Sequence, residues 1–98
     1  MNKTKYEIHY TKKFKKQYKK VVKQNKDLKK LRYIVETLSN GNYLEEKYKD
    51  HSLIDNKNFE DCRECHIEPD WLLVYKYTSD KLILLLVETG SHSELFKK

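Results

Sequence analysis

Residues 62–96 read CRECHIEPDWLLVYKYTSDKLILLLVETGSHSELF, and their punctuation decides the fold. Pro69-Asp70 and Ser79-Asp80 are turn pairs, so they cut the stretch into strand-length runs at 62–68, 71–77 and 81–89. Short connections make successive strands antiparallel, and a meander results. In the second run Trp71, Leu73, Tyr75 and Tyr77 share one face, which puts Trp71 in a core. Leu82 to Val87 shows no alternation, as expected of a central strand covered on both faces or on one face and a rim. Gly90 ends the strand, and Ser91 and Glu94 have capping-box spacing for a last helical turn over 91–96.

Toward the N-terminus, Tyr6, Ile8 and Tyr10 alternate with polar neighbours, the period of a half-buried strand, and Thr11 offers a helix cap. From 12 to about 24, Phe14, Tyr18, Val21 and Val22 recur at helical spacing, with lysines on the other faces. Asp27 can cap a second helix with Leu28, Leu31, Val35 and Leu38 on one face, stopped by Asn40-Gly41. The polar segment 42–61, with Tyr48, Leu53, Ile54 and Phe59 as scattered anchors, reads as an ordered connecting loop. The pattern predicts one α+β domain over 1–98. Two N-terminal helices pack on a twisted, mainly antiparallel four-stranded sheet, followed by a short C-terminal helical turn.

Net charge is +6, but unevenly placed: 13 Lys/Arg face 3 Asp/Glu through Asn40, and 8 face 12 thereafter. Such a basic half suits a polyanion, because neutralised phosphates release counterions. Nearly all the cations are lysines, which track a backbone better than they read bases; Lys12, Lys16 and Lys19 on the first helix, with Arg63, are candidate RNA contacts. The N-terminus lacks the apolar stretch of a secretory signal and no run could span a bilayer, so a cytoplasmic protein is expected.

Cys62-Arg63-Glu64-Cys65-His66 satisfies the C-x-x-C-H attachment pattern of c-type haem. Attachment needs export and a second axial ligand, yet there is no signal and the only methionine is Met1. Zinc would need a fourth ligand that nothing obvious supplies. Two buried strand cysteines are the better reading, with neither cofactor nor metal expected.

Histidine, with an unperturbed pKa of about 6.5, can accept and donate protons near neutrality. Breaking an RNA phosphodiester needs both: one group deprotonates the ribose 2'-hydroxyl and another protonates the leaving 5'-oxygen. His9 falls on the polar register of its strand and reads as a surface residue; His51, His66 and His92 lie among strand ends and loops. His92 would sit in the first turn of the last helix, where backbone N–H groups favour a phosphate and a leaving-group acid is useful. The plainer alternative is an ordinary polar helix residue. His66 and Asp70 flank Pro69, and a carboxylate there could fix an imidazole tautomer; the plainer alternative is a hairpin with a solvated Asp. Phe96 is harder to explain as core and could stack on a nucleobase.

Two blocks, ECHIEPDWLLVY at 64–75 and TGSHSELF at 89–96, resemble the YafQ branch of the RelE/ParE toxin superfamily, with YKDHSL at 48–53 as a third. The resemblance implies a RelE-like fold and a metal-independent endoribonuclease acting on messenger RNA in the ribosomal A site. It also implies control by a cognate antitoxin, with operator DNA bound only through that antitoxin and no membrane partner. Carried over block by block, functional residues fall on His51, His66, Asp70, His92 and Phe96, with Trp71 also in the site and His92 the principal proton donor. Relatives of this branch commonly carry arginine where this chain has Glu88. Arg63 or a lysine could substitute for it, or Glu88 could have a catalytic role. Two other readings share the fold: a non-catalytic RNA-, ribosome- or antitoxin-binding relative, and a gyrase-poisoning toxin.

Overall fold

Thr11 ties the first helix to the sheet. Its hydroxyl accepts from the Phe14 N–H at 2.9 Å, capping the helix, and donates to the Val87 carbonyl at 2.6 Å. In the computed structural model, which describes residues 5–54, 56–78 and 82–96, β1 (Glu7–Tyr10) leads through Thr11 into α1 (Lys12–Lys23). α2 (Leu28–Ser39) follows, capped by Asp27, whose carboxylate accepts from the Lys29 N–H at 3.1 Å. Then come β2 (His51–Ser52), β3 (Arg63–Glu68), β4 (Trp71–Tyr77), β5 (Ile83–Gly90) and α3 (His92–Phe96), with short 3-10 turns at Glu46–Tyr48 and Lys57–Phe59.

The sheet has five strands in the order β1-β5-β4-β3-β2. β1 runs parallel to β5 and the other pairs are antiparallel. The expected α+β architecture is present with one strand more than the four expected. The extra strand, β2, lies inside the segment read as loop, and its two residues are too few to display a period. The parallel pair closes a crossover that runs through the α1–α2 hairpin. The expected Ser79-Asp80 turn lies outside the described residues.

Both faces of the sheet are covered in its middle. On the helix side, Phe14, Val21, Leu31, Ile34 and Leu38 pack against Cys65, Ile67, Trp71, Leu73, Tyr75, Leu84 and Leu86. On the other side Phe59, Cys62, Leu72, Val74 and Leu95 form a second cluster. Full two-sided burial therefore falls on β4, where 71–75 are all buried, whereas β5 alternates and takes the rim position. The buried side of α1 is narrower than its spacing suggested, since Tyr18 and Val22 stay exposed.

Trp71 is fully buried, its indole N–H donating to Thr89 Oγ1 at 3.0 Å. The Thr89 hydroxyl in turn donates to the Leu72 carbonyl at 2.7 Å. Periodicity placed this ring correctly, and its assignment to the substrate surface is overturned: no face is left for a base. The cysteines are free and buried, Cys65 in the helix-side cluster and Cys62 in the opposite one. Burial pushes both thiols up, which makes them unreactive.

Candidate active site

Alternation along β3 sorts its side chains: Arg63, Cys65 and Ile67 take the helix side, leaving Glu64 and His66 on the other. Glu64 is buried, and a carboxylate removed from water needs charged or hydrogen-bonding partners. It has two imidazoles. His51, directly opposite Glu64 in the β2–β3 ladder, brings Nε2 to 3.3 Å of Glu64 Oε1, and His66 Nε2 lies 3.5 Å from the same oxygen. His51 Nδ1 donates to the Lys49 carbonyl at 2.7 Å.

His92 enters from α3. The capping box is formed: the Ser91 N–H donates to Glu94 Oε1 at 2.8 Å and the Glu94 N–H to Ser91 Oγ at 3.2 Å. Lys20 bonds the other Glu94 oxygen, fastening α3 to α1. That ammonium and then the Ser91 N–H hold the Glu94 carboxyl below its ordinary value. Asp70, in the β3–β4 turn, accepts from the His92 backbone N–H at 2.9 Å and from its Nδ1 at 2.7 Å. These bonds, the backbone one first, lower the Asp70 carboxyl likewise. The His66 and His92 rings meet edge to face with centroids 5.3 Å apart. The face therefore joins two carboxylate–imidazole units, His92–Asp70 and Glu64 with His51 and His66.

Several expectations change. Asp70 serves His92, and the carboxylate beside His66 is Glu64, which sequence reading missed. Its signal was its shared strand parity with His66, but Glu68 has the same parity, so contact with His51 is what selects Glu64. The phosphate expected at the first N–H of α3 meets an N–H already taken by Asp70. Arg63 does not join the histidines: its guanidinium bonds Ser52 Oγ at 2.9 Å and Asp50 at 3.4 Å on the helix side of the sheet. Glu88 accepts from Gln17 Nε2 at 3.0 Å and pairs with Lys13 at 3.4 Å, while Gln17 Oε1 accepts the Thr89 N–H. Both side-chain partners of the Glu88 carboxylate thus come from α1. Lys12, Lys16 and Lys19 are exposed on α1, whose buried residues pack on the helix side. Phe96 is half-buried, edge-on to Phe59 at 5.6 Å, one helical turn beyond His92.

A concavity of about 830 Å³ lies elsewhere, between 52–54, 56–57, 60–63 and Tyr77. The histidines instead stand on an open face, His51 and His92 each about half exposed. An open face with acid–base groups suits a polymer better than an enclosed small molecule.

Known proteins with this fold include small bacterial toxins of type II toxin-antitoxin systems. The chain belongs to the YafQ family of such toxins, whose model matches residues 6–97. It is 42% identical over 91 residues to the mRNA interferase toxin YafQ of Escherichia coli (strain B / BL21-DE3), spanning 92% of this chain and 95% of that protein. Its fold is similar to a chain of the crystal structure of the E. coli DinJ-YafQ toxin-antitoxin complex, with TM-score 0.82 and 38% identity over 94% of this chain and 98% of that one. A metal-bound toxin from Helicobacter pylori is similar with TM-score 0.85 and 46% identity, over 93% and 99% of the two chains. Among the described residues of this chain no group of three or more His, Cys, Asp or Glu is arranged to hold a metal ion. No helix among them is long and apolar enough to cross a membrane.

Proposed function

We propose that this chain is the endoribonuclease of a toxin-antitoxin pair and cuts messenger RNA on the ribosome with its own side chains. The observation that carries the mechanism is the pairing of the three imidazoles with two carboxylates on one face. On one side, Glu64 with His51 or His66 accepts the 2'-hydroxyl proton, and the alkoxide attacks the adjacent phosphorus. On the other, Asp70 holds His92 with Nδ1 protonated and supports its charged form, so Nε2 can give a proton to the departing 5'-oxygen. The products are a 2',3'-cyclic phosphate and a 5'-hydroxyl end, with no net proton consumed. Phe96, beside His92, is the aromatic surface available for a base. Lys12, Lys16 and Lys19 serve RNA away from the cut, for which ribosomal RNA offers the phosphates.

The restraining partner is a cognate antitoxin. A groove of about 670 Å³ between α1, α2 and β1, lined by Tyr10, Phe14, Tyr18, Leu31 and Val35, is bordered by Lys15, Lys19 and Arg32. That combination supports an amphipathic antitoxin segment with acidic flanks as its occupant. Operator DNA is reached only through that antitoxin, and the whole toxin acts as one cytoplasmic domain.

The test is inducible expression of the wild type and His92→Gln in bacteria, with 5' ends mapped on a translated reporter. Cuts within the message from the wild type alone are expected. Intact messages from both sink the enzyme reading, and intact messages with broken DNA would return the gyrase-directed alternative.

A further inference from the structure

β2 is two residues long and presents His51 from the edge of the sheet. So short a strand has too few ladder bonds to hold its register alone. What holds it lies on its other face. Successive strand residues point to opposite sides, so Asp50 and Ser52 project away from His51. Both meet Arg63, which stands opposite Ser52 in the ladder. Arg63 Nη1 donates to Ser52 Oγ at 2.9 Å, and Nε and Nη2 address the two oxygens of Asp50, each at 3.4 Å. The Tyr75 hydroxyl donates to Asp50 Oδ1 at 2.6 Å. Tyr75 is Arg63's partner in β4 and is buried in the helix-side cluster, so the chain of contacts ends in the packed core.

We infer that Tyr75, Asp50 and Arg63 are positioning residues that hold His51 against Glu64 from the opposite face of the sheet. The inference rests on the ribonuclease reading for its consequence and on geometry for its substance. With Asp50 and Ser52 pinned, the backbone between them has little freedom, and the left-handed Lys49 (φ 50°) turns its carbonyl onto His51 Nδ1. The ring is thus fixed at both nitrogens, by Lys49 and by Glu64. Three of the five N–H donors of Arg63 go to this clamp, on the face away from His51. Misplacement of a reacting group by about 1 Å can cost on the order of a hundredfold in rate, so a clamp remote from the RNA acts on turnover rather than on binding.

Tyr75→Phe removes one hydroxyl and keeps the ring in the core, so it is the variant of choice, with Asp50→Asn as the second. The ring nitrogens of His51 are followed by 15N NMR on the purified chain. Cleavage is measured on programmed ribosomes for wild type, Tyr75→Phe, His51→Gln and the double variant. The wild type should show one ordered set of His51 ring signals with Nδ1 protonated toward the Lys49 carbonyl, and both clamp variants should average them while His92 is unchanged. Tyr75→Phe should lower kcat by about tenfold with KM within about twofold, and should cost nothing further in the His51→Gln background. Unmoved His51 signals, or effects of the two substitutions that multiply, would overturn the assignment. Should the wild type cleave nothing, the ribonuclease reading falls, and the His51 signals alone decide whether the clamp positions that ring.

Discussion

Asp70 takes two hydrogen bonds from a single residue, His92, through its backbone N–H and its Nδ1. One carboxylate oxygen therefore orients the ring and places its neutral-form proton, leaving Nε2 for the substrate. Asp70→Asn keeps an acceptor but loses the charge that supports the imidazolium. Cleavage should fall by about 10- to 100-fold, against about 100- to 10,000-fold for His92→Gln. Single-turnover cleavage of a message on purified ribosomes measures both, and an Asp70→Asn chain cutting at the wild-type rate would remove Asp70 from the mechanism.

Glu64 predicts a different signature. It is buried with two imidazoles on one oxygen, so Glu64→Gln retains the shape but removes the charge that supports an imidazole once it has taken the 2'-hydroxyl proton. A loss of about 10- to 100-fold in kcat is expected. A rate identical to the wild type would confine Glu64 to a structural part.

How much of this could be read from the chain depends on how local the cause was. The Pro69-Asp70 turn, the helix caps at Thr11 and Asp27 and the Ser91–Glu94 box are local, and each was legible. Strand partners are not: nothing in Tyr6 to Tyr10 says that β5 is its neighbour, or that the pairing is parallel. β2 escaped because two residues have no period, although His51 itself stood out by residue type. Asp70 lies close to His66 in sequence and 22 residues from His92, so its neighbour looked like its partner until the fold brought α3 over the turn. Glu64 was hidden among acidic residues of the same parity, and Arg63 was misassigned because charge alone does not tell which face of a strand a side chain takes.

The acid response of α3 follows from Asp70 and Glu94. Both carboxyls are depressed from ordinary values of 3.8 and 4.5 in the folded chain. A depressed folded value means the unfolded chain takes up protons first on acidification. Their contribution is complete above about pH 5, declines as pH falls through the ordinary values, and is gone below the folded ones. Amide protection factors at His92 and Leu95, referred to the unstructured rate at each pH, should therefore fall between about pH 5 and pH 3, and Glu94→Gln should flatten that dependence. Loss of α3 protection on raising the pH from 5 to 7 would contradict the sign.

Trp71 offers a stability test free of catalysis. Trp71→Phe removes the indole N–H from the Thr89 hydroxyl and part of a fully buried ring. Unfolding in urea should lose about 1–3 kcal/mol from the unpaired group and the smaller ring. A variant as stable as the wild type, yet inactive, would reopen a substrate role for this residue.

Glu88 is where this chain departs from the arginine common in the branch it resembles, and its surroundings decide what substitution should do. The carboxylate accepts from Gln17 and faces Lys13, so its charge is answered locally. Glu88→Gln keeps an acceptor for Gln17 and gives up one ion pair with a mostly exposed lysine, worth at most about 1 kcal/mol. Cleavage should remain within about threefold of the wild type, since the base and acid units are untouched. Glu88→Arg instead sets a second cation beside Lys13 and leaves it without an acceptor, and should lower stability by about 1–3 kcal/mol without raising the rate. Parallel urea unfolding and ribosome cleavage on the two variants separate the possibilities: a collapse in rate for Glu88→Gln at unchanged stability would make Glu88 a participant in the chemistry.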